Sequence, residues 1–251
     1  MRERCRDARQ PRRRPRVAVT AGVAPTAPDD RLCRNGTPPL VKLDLDHFFV
    51  FVERDATESA AKLEAGGLVP TFRRRHEGQG TANLCYVFDN AYLELLWVDE
   101  PTLLSRATFR RTRLWERSRW RSDGNSPFGV CVRAPEALPF PCWLWQPPDL
   151  PPGLYLEVAK AVSDPEVPFL FRFPGTLRPD HWPDDRAGDR QEAAGLAEIT
   201  ALTLSALPTA EQLEGLTLDP SIGHQTAILE FSRRDGGPPR RLRLPDCTWL
   251  A

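Results

Sequence analysis

No two cysteines in this chain sit at CxxC spacing. The six (Cys5, Cys33, Cys85, Cys131, Cys142 and Cys247) are scattered, which argues against a structural zinc and against a dithiol redox centre. Cys85 and Cys131 fall in apolar, strand-like runs, where a free thiol behaves as a small hydrophobe. Reduced thiols and a cytoplasmic setting are the expectation. Long hydrophobic runs are also missing: none approaches the roughly 20 residues that cross a bilayer, and the N-terminal stretch lacks the apolar centre of a secretory signal. There is no GxSxG elbow, no GxxxxGK[ST] phosphate loop and no HExxH helix. Gly78-Gln79-Gly80-Thr81 lacks the third glycine of a dinucleotide fingerprint and enters a strand, not a helix.

What is present is a chain of 251 residues with 26 prolines. That length buries a substantial core in one large domain or two small ones. The proline share, about twice the usual, favours loops over long helices. Formal net charge is zero but unevenly spread. Residues 1–40 hold ten Arg against Glu3, Asp7, Asp29 and Asp30, a net +6 that leaves −6 on the remainder. A mildly acidic body gives no reason to expect nucleic-acid binding, and no membrane partner is expected. Arg2 to Arg16, with Pro11 and Pro15, and the Ala/Pro/Thr stretch behind it show no period of 2 or 3.6, so residues 1–40 read as a disordered, solvated Arg/Pro-rich tail. A transit peptide is usually rich in Ser, and none occurs before Ser59. The abrupt onset of pattern at Val41 raises a start codon placed too far upstream, which N-terminal sequencing of the native protein tests.

From Leu43 the pattern is dense. Leu43, Leu45, His47, Phe49 and Phe51 alternate with Asp44, Asp46, Phe48, Val50 and Val52, a strand whose far end is apolar on both faces. Asp55 and Glu58 make a capping box for a helix over Ala56–Ala65, and Gly66–Gly67 stops it. Leu68–Phe72 reads as a second strand, at an edge because of Pro70. Arg73–Gly80 reads as a basic loop, Thr81–Phe88 as a third strand, Asp89–Asn90 as a tight turn and Ala91–Val98 as a fourth strand. The order is β-α-β-β-β.

His47-x-x-Val50 in the first strand, His76-Glu-Gly78-Gln-Gly80-Thr81-Ala-Asn83 before the third, and Tyr92-Leu-Glu94-Leu95 in the fourth resemble a glyoxalase-like domain of the vicinal oxygen chelate superfamily, to which glyoxalase I, extradiol dioxygenases and bleomycin-resistance proteins belong. The resemblance is closest over residues 43–98 and continues more faintly to about residue 205. It implies an α+β fold of βαβββ modules paired into a partly open, cupped mixed β-sheet barrel. It divides the chain into the tail (1–40), a first module (41–100), a linker with a degenerate second module (101–195) and a further degenerate βαββ module (196–251). In the second copy the strands are Gly129–Arg133, Leu154–Val158 and Pro168–Phe173, with Pro135–Pro152 in place of the helix. In the third, strands at Leu196–Leu204, Thr226–Arg233 and Arg240–Leu244 surround a short helix at Thr209–Leu213.

In that superfamily a divalent metal is often held by first- and fourth-strand residues. The resemblance therefore makes His47 and Glu94 candidate ligands for Zn, Mn, Fe, Ni or Co. Glu198 is a third, since Leu196-Ala-Glu198 lies over Leu45-Asp-His47. Arg172 and Arg243 stand where later acids are wanted, and arginine does not ligate cations. His76, Gly80, Thr81 and Asn83, beside Arg73–Arg75, are candidate substrate contacts; no catalytic residue is assigned. Each has a plainer reading: His47 as a core histidine, Glu94 as a solvated position, Arg73–His76 as a solvated loop, Thr81 and Asn83 as turn and strand-start residues. His181 and His224 read as surface groups, and the seven tryptophans as core or rim. Two functions follow. One is a metal-dependent lyase/isomerase or dioxygenase acting on a small oxygen-bearing substrate. The other is a metal-free protein that sequesters a small aromatic or cationic molecule in the same cup, as monomer or homodimer.

Overall fold

The computed structural model describes residues 43–135, 137–175, 177–207 and 213–251. The expected tail and all but Leu213 of the expected helix at Thr209–Leu213 lie outside them. The first strand, β1 (Asp44–Phe51), is buried on both faces from Asp46 onward, as its doubly apolar half requires. The helix α1 (Thr57–Ala65) buries Ser59, Ala60 and Leu63. Its expected capping box does not form. Asp55 and Ala56 take left-handed φ values of 63° and 53° in a 3-10 turn that leaves Asp55 exposed. Glu53 serves as the cap, its carboxylate accepting from the Ser59 N–H and hydroxyl at 2.8 Å each. Gly67, at φ 94°, stops the helix as the Gly pair predicts.

The second strand lies later than its pattern indicates. β2 is Phe72–His76, so the expected basic loop is mostly strand. Pro70, without an N–H, stays in the lead-in. As a sheet edge, β2 exposes Arg73, Arg74 and Arg75 and shows no apolar alternation. β3 (Thr81–Val87) and β4 (Tyr92–Val98) form the expected hairpin. The connection that follows holds three short helices, α2 (Pro101–Leu104), α3 (Leu114–Ser118) and α4 (Trp120–Asp123).

Four further strands follow: β5 (Phe128–Arg133), β6 (Cys142–Trp145), β7 (Leu156–Ala159) and β8 (Phe169–Arg172). β6 lies inside Pro135–Pro152, where a loop was expected; four residues between prolines suffice for an edge strand. One mixed sheet runs β2-β3-β4-β1-β5-β8-β7-β6. β1 lies parallel to β4, β5 parallel to β8, and β1 antiparallel to β5. Two four-stranded halves of identical order thus meet at a central antiparallel pair. The sheet curls without closing: Arg74 on one edge strand reaches Asp149, beyond the other, at 2.6 Å, yet β2 and β6 share no ladder.

A second sheet, β10-β9-β11-β12-β13, comprises β9 (Leu196–Leu204), β10 (Leu216–Leu218), β11 (Ala227–Arg233), β12 (Arg240–Leu244) and β13 (Thr248–Leu250). It packs on the β3–β4 hairpin, with Phe88 and Phe231 stacked at 4.8 Å. The fold is α+β, with low helix content and large mixed sheets. Among the described residues no helix is long and apolar enough to cross a membrane.

Candidate functional site

Strand register decides what faces the concavity. In the parallel β1–β4 pair, His47 lies beside Tyr92 and Phe49 beside Glu94. Side chains two apart share a face, so His47, Phe49, Tyr92 and Glu94 project together. β3 and β2 add Asn83, Arg74 and His76 to the same face. These groups line a cavity of about 800 Å³.

A bulge sits at its floor. Leu45 pairs with Val132 and His47 with Cys131, leaving Asp46 as the extra residue. Its buried carboxylate therefore turns toward the His47 ring. Arg133 Nη1 donates to Asp46 Oδ2 at 3.1 Å, and His47 Nδ1 lies 2.7 Å from Oδ1. With Oδ2 accepting from Arg133, the carboxylate is the acceptor at Oδ1 too, and His47 Nδ1 is the donor to it. The other ring nitrogen, Nε2, faces Glu94 Oε2 at 3.6 Å.

The remaining polar groups form one network. Asn83 Oδ1 accepts from the Arg74 N–H at 3.0 Å, which fixes the amide, and its Nδ2 donates to Glu94 Oε1 at 2.6 Å. The same Nδ2 meets His76 Nε2 at 3.3 Å, so that nitrogen is the acceptor and Nδ1 donates to Thr81 Oγ1 at 2.8 Å. Gln79 Nε2 donates to the same oxygen at 2.8 Å. Burial pushes His76 below its ordinary value, outweighing the pull of the Glu94 and Asp149 carboxylates. A neutral ring with one donor and one acceptor is what this network holds.

The second half supplies the opposite wall, and that wall is largely apolar, with Asp149 at its rim paired to Arg74. Phe169 and Phe171 of β8, register partners of Gly129 and Cys131, line the cavity with Phe49, Phe173, Trp145 and Leu156. The Phe171 ring stands edge-on to His47 at 5.4 Å, and Tyr92 stacks on its other side at 4.5 Å. Gly129 is required by this packing, because a Cβ there would lie 2.0 Å from the Phe49 ring. Cys131 is fully buried, which pushes its thiol well above the ordinary value and keeps it protonated.

A divalent cation fits these donors poorly. His47 and Glu94 have the spacing of two ligands to one ion, and Asp46 behind Nδ1 resembles the carboxylate that often orients a metal-binding histidine. A catalytic site wants three or four protein donors. Where the second half would contribute them stand Phe169 and Phe171. Asp46, His47 and Cys131 also bring donor atoms within 4.8 Å of one another. There, however, Arg133 engages the carboxylate and the thiol keeps its proton. The structure does not bring Glu198 to this group: it pairs with Arg178 and is not among the residues lining the cavity. Arg172 pairs with Glu157, and Arg243 is exposed on β12.

Of the candidate substrate contacts, His76 and Asn83 line the cavity. Thr81 supports them from behind, fully buried, and Gly80 shapes the preceding turn at φ 88°. Sequence reasoning missed Asp46, Arg133, Gln79 and the phenylalanines of β8. Asp46 adjoins His47 in the chain, but alternation assigns it to the other face and only the bulge overrides that. Phe169 and Phe171 read as generic strand residues until register aims them.

No curated protein matches the chain. A solved structure, a hypothetical protein from Staphylococcus aureus, shares 13% identity at a TM-score of 0.38, covering 64% of this chain and 69% of that one. Residues 45–139 match the family model described as a glyoxalase-like domain, and that stretch is a glyoxalase-like domain of the vicinal oxygen chelate superfamily.

Proposed function

We propose that the protein is a metal-free binder of a small molecule. The ligand's flat apolar body lies against the aromatic wall of the cup, and its polar end is directed at His47 and Glu94. The observation carrying this reading is the pair Phe169 and Phe171, which occupies the half of the cup from which further metal ligands would come. Cavities of this size lined by aromatic groups with a few convergent polar atoms suit compact organic ligands. Both walls come from one chain, so the site needs no second copy to be complete.

Two measurements test it together. Metal analysis of protein purified without a His-tag should find no stoichiometric cation, and added Mn, Ni, Zn or Fe should leave the melting temperature unchanged. Quenching of tryptophan fluorescence by 2-phenylethanol should report binding, since Trp145 and Trp182 line the cavity. Phe171→Ala should weaken that binding about tenfold, the effect of losing roughly 1.4 kcal/mol of ring contact. A stoichiometric cation whose removal lowers the melting temperature would overturn the reading.

A further inference from the structure

Glu94 is a buried carboxylate with little to compensate it. It is 5% exposed, and among the described residues the one hydrogen bond to its side chain is from the neutral Asn83 amide to Oε1. Among the described residues no Arg or Lys pairs with it; the only titratable neighbour at ion-pair distance is His47. The guanidiniums that line the mouth are engaged elsewhere: Arg73 over Trp97, Arg74 with Asp149, Arg186 with Asp184 and over Trp182. A lone buried carboxylate is costly unless a cation or several donors meet it.

The histidine does not resolve this by itself. Asp46, engaged by Arg133, accepts the hydrogen bond from His47 Nδ1–H, so with one proton on the ring the lone pair of Nε2 faces the cavity. Nε2 and Glu94 Oε2 are then two acceptors 3.6 Å apart. That is too far for a hydrogen bond and close enough for one donor nitrogen to reach both. Around them stand Tyr92, Phe171 and Phe49, rings whose faces attract organic cations.

We infer that the His47–Glu94 pair seats the ammonium group of a small aromatic amine, the ligand's ring lying on Phe169 and Phe171. This rests on the metal-free reading of the cup and goes further by naming the class of ligand. His47 Nε2 and Glu94 Oε2 accept two ammonium N–H groups, and the ligand supplies the positive charge that Glu94 lacks.

The test compares three probes on the full chain at neutral pH: 2-phenylethylamine, 2-phenylethanol and 3-phenylpropanoate, which share a ring and differ in the charge of the polar end. Calorimetric titration should show the amine binding at least about tenfold more tightly than the alcohol, with the carboxylate weakest. Glu94→Gln should bring the amine to within about threefold of the alcohol, both measured on that variant; near-UV circular dichroism checks that the variant keeps its packing. The wild-type comparison decides even if that variant fails to fold. Equal affinity for amine and alcohol would mean that an imidazolium proton already satisfies Glu94; the ammonium assignment then falls while the cup stands. If none of the three binds, both readings fall.

Discussion

His76 illustrates how a single residue ties the site to stability. Its ring is held neutral between Asn83 and Thr81, and burial sets its folded value below the ordinary 6.5. The unfolded chain therefore binds more protons through the interval between the two values. Stability rises with pH across that interval and is lost as pH falls from the ordinary histidine range through the lowered one. Urea unfolding should accordingly give a lower free energy at pH 5 than at pH 7.5, with part of that slope removed in His76→Gln. Identical slopes in the two proteins would show that the ring is not desolvated as described. His47, by contrast, is defined by hydrogen-bond direction, with one nitrogen committed to Asp46 and the other left to the cavity.

At the level of elements, two glycines show what the strands demand. Gly80 closes the β2–β3 turn at φ 88°, and its carbonyl accepts from the Asp99 and Glu100 N–H groups at 3.0 Å each. A Cβ there would lie 2.5 Å from the Glu100 carbonyl oxygen, a backbone atom that cannot swing aside. Gly80→Ala combines that clash with a left-handed φ, so a loss of about 2–4 kcal/mol is expected from chemical denaturation. A change below about 0.5 kcal/mol would contradict the turn geometry. The turn holds Thr81, and through it His76 and Gln79, so the same variant should also weaken ligand binding. The bulge at Asp46 is the second device: one unpaired residue on β1 converts an outward position into the group that fixes the His47 ring.

For the whole molecule, Asn90 joins the two sheets to the site. Its side chain donates to the Ile199 carbonyl at 2.8 Å and accepts from the Ile199 N–H at 2.9 Å, while its own carbonyl accepts from Arg133 Nη2 at 2.7 Å. Asn90→Ala removes both inter-sheet bonds and strands a backbone pair, so about 2–3 kcal/mol of destabilisation is expected in thermal or urea unfolding. No measurable change would mean the remaining contacts of the second sheet, among them Phe88 on Phe231 and the Asp89 N–H donating to the Ala197 carbonyl at 2.8 Å, hold it without Asn90. Local chemistry was legible from the chain: alternation marked β1, the Asp89–Asn90 turn marked the β3–β4 hairpin, and the Gly pair marked the end of α1, whereas His47 with Glu94 came from the family resemblance. Those signals depend on neighbours two to four residues away, which is the range over which periodicity and propensity act. Position along β2, the existence of β6, the Glu53 cap and the place of Asp46 were not legible, because edge strands carry no buried stripe and a bulge obeys its partner strand. What the amino-acid order determined by itself was a βαβββ unit; the family resemblance pointed to His47 and Glu94, and the parallel β1–β4 pairing put them side by side. Only tertiary structure decided that β8 would set phenylalanines against them, because the register of strands more than a hundred residues apart is chosen by packing across the whole sheet.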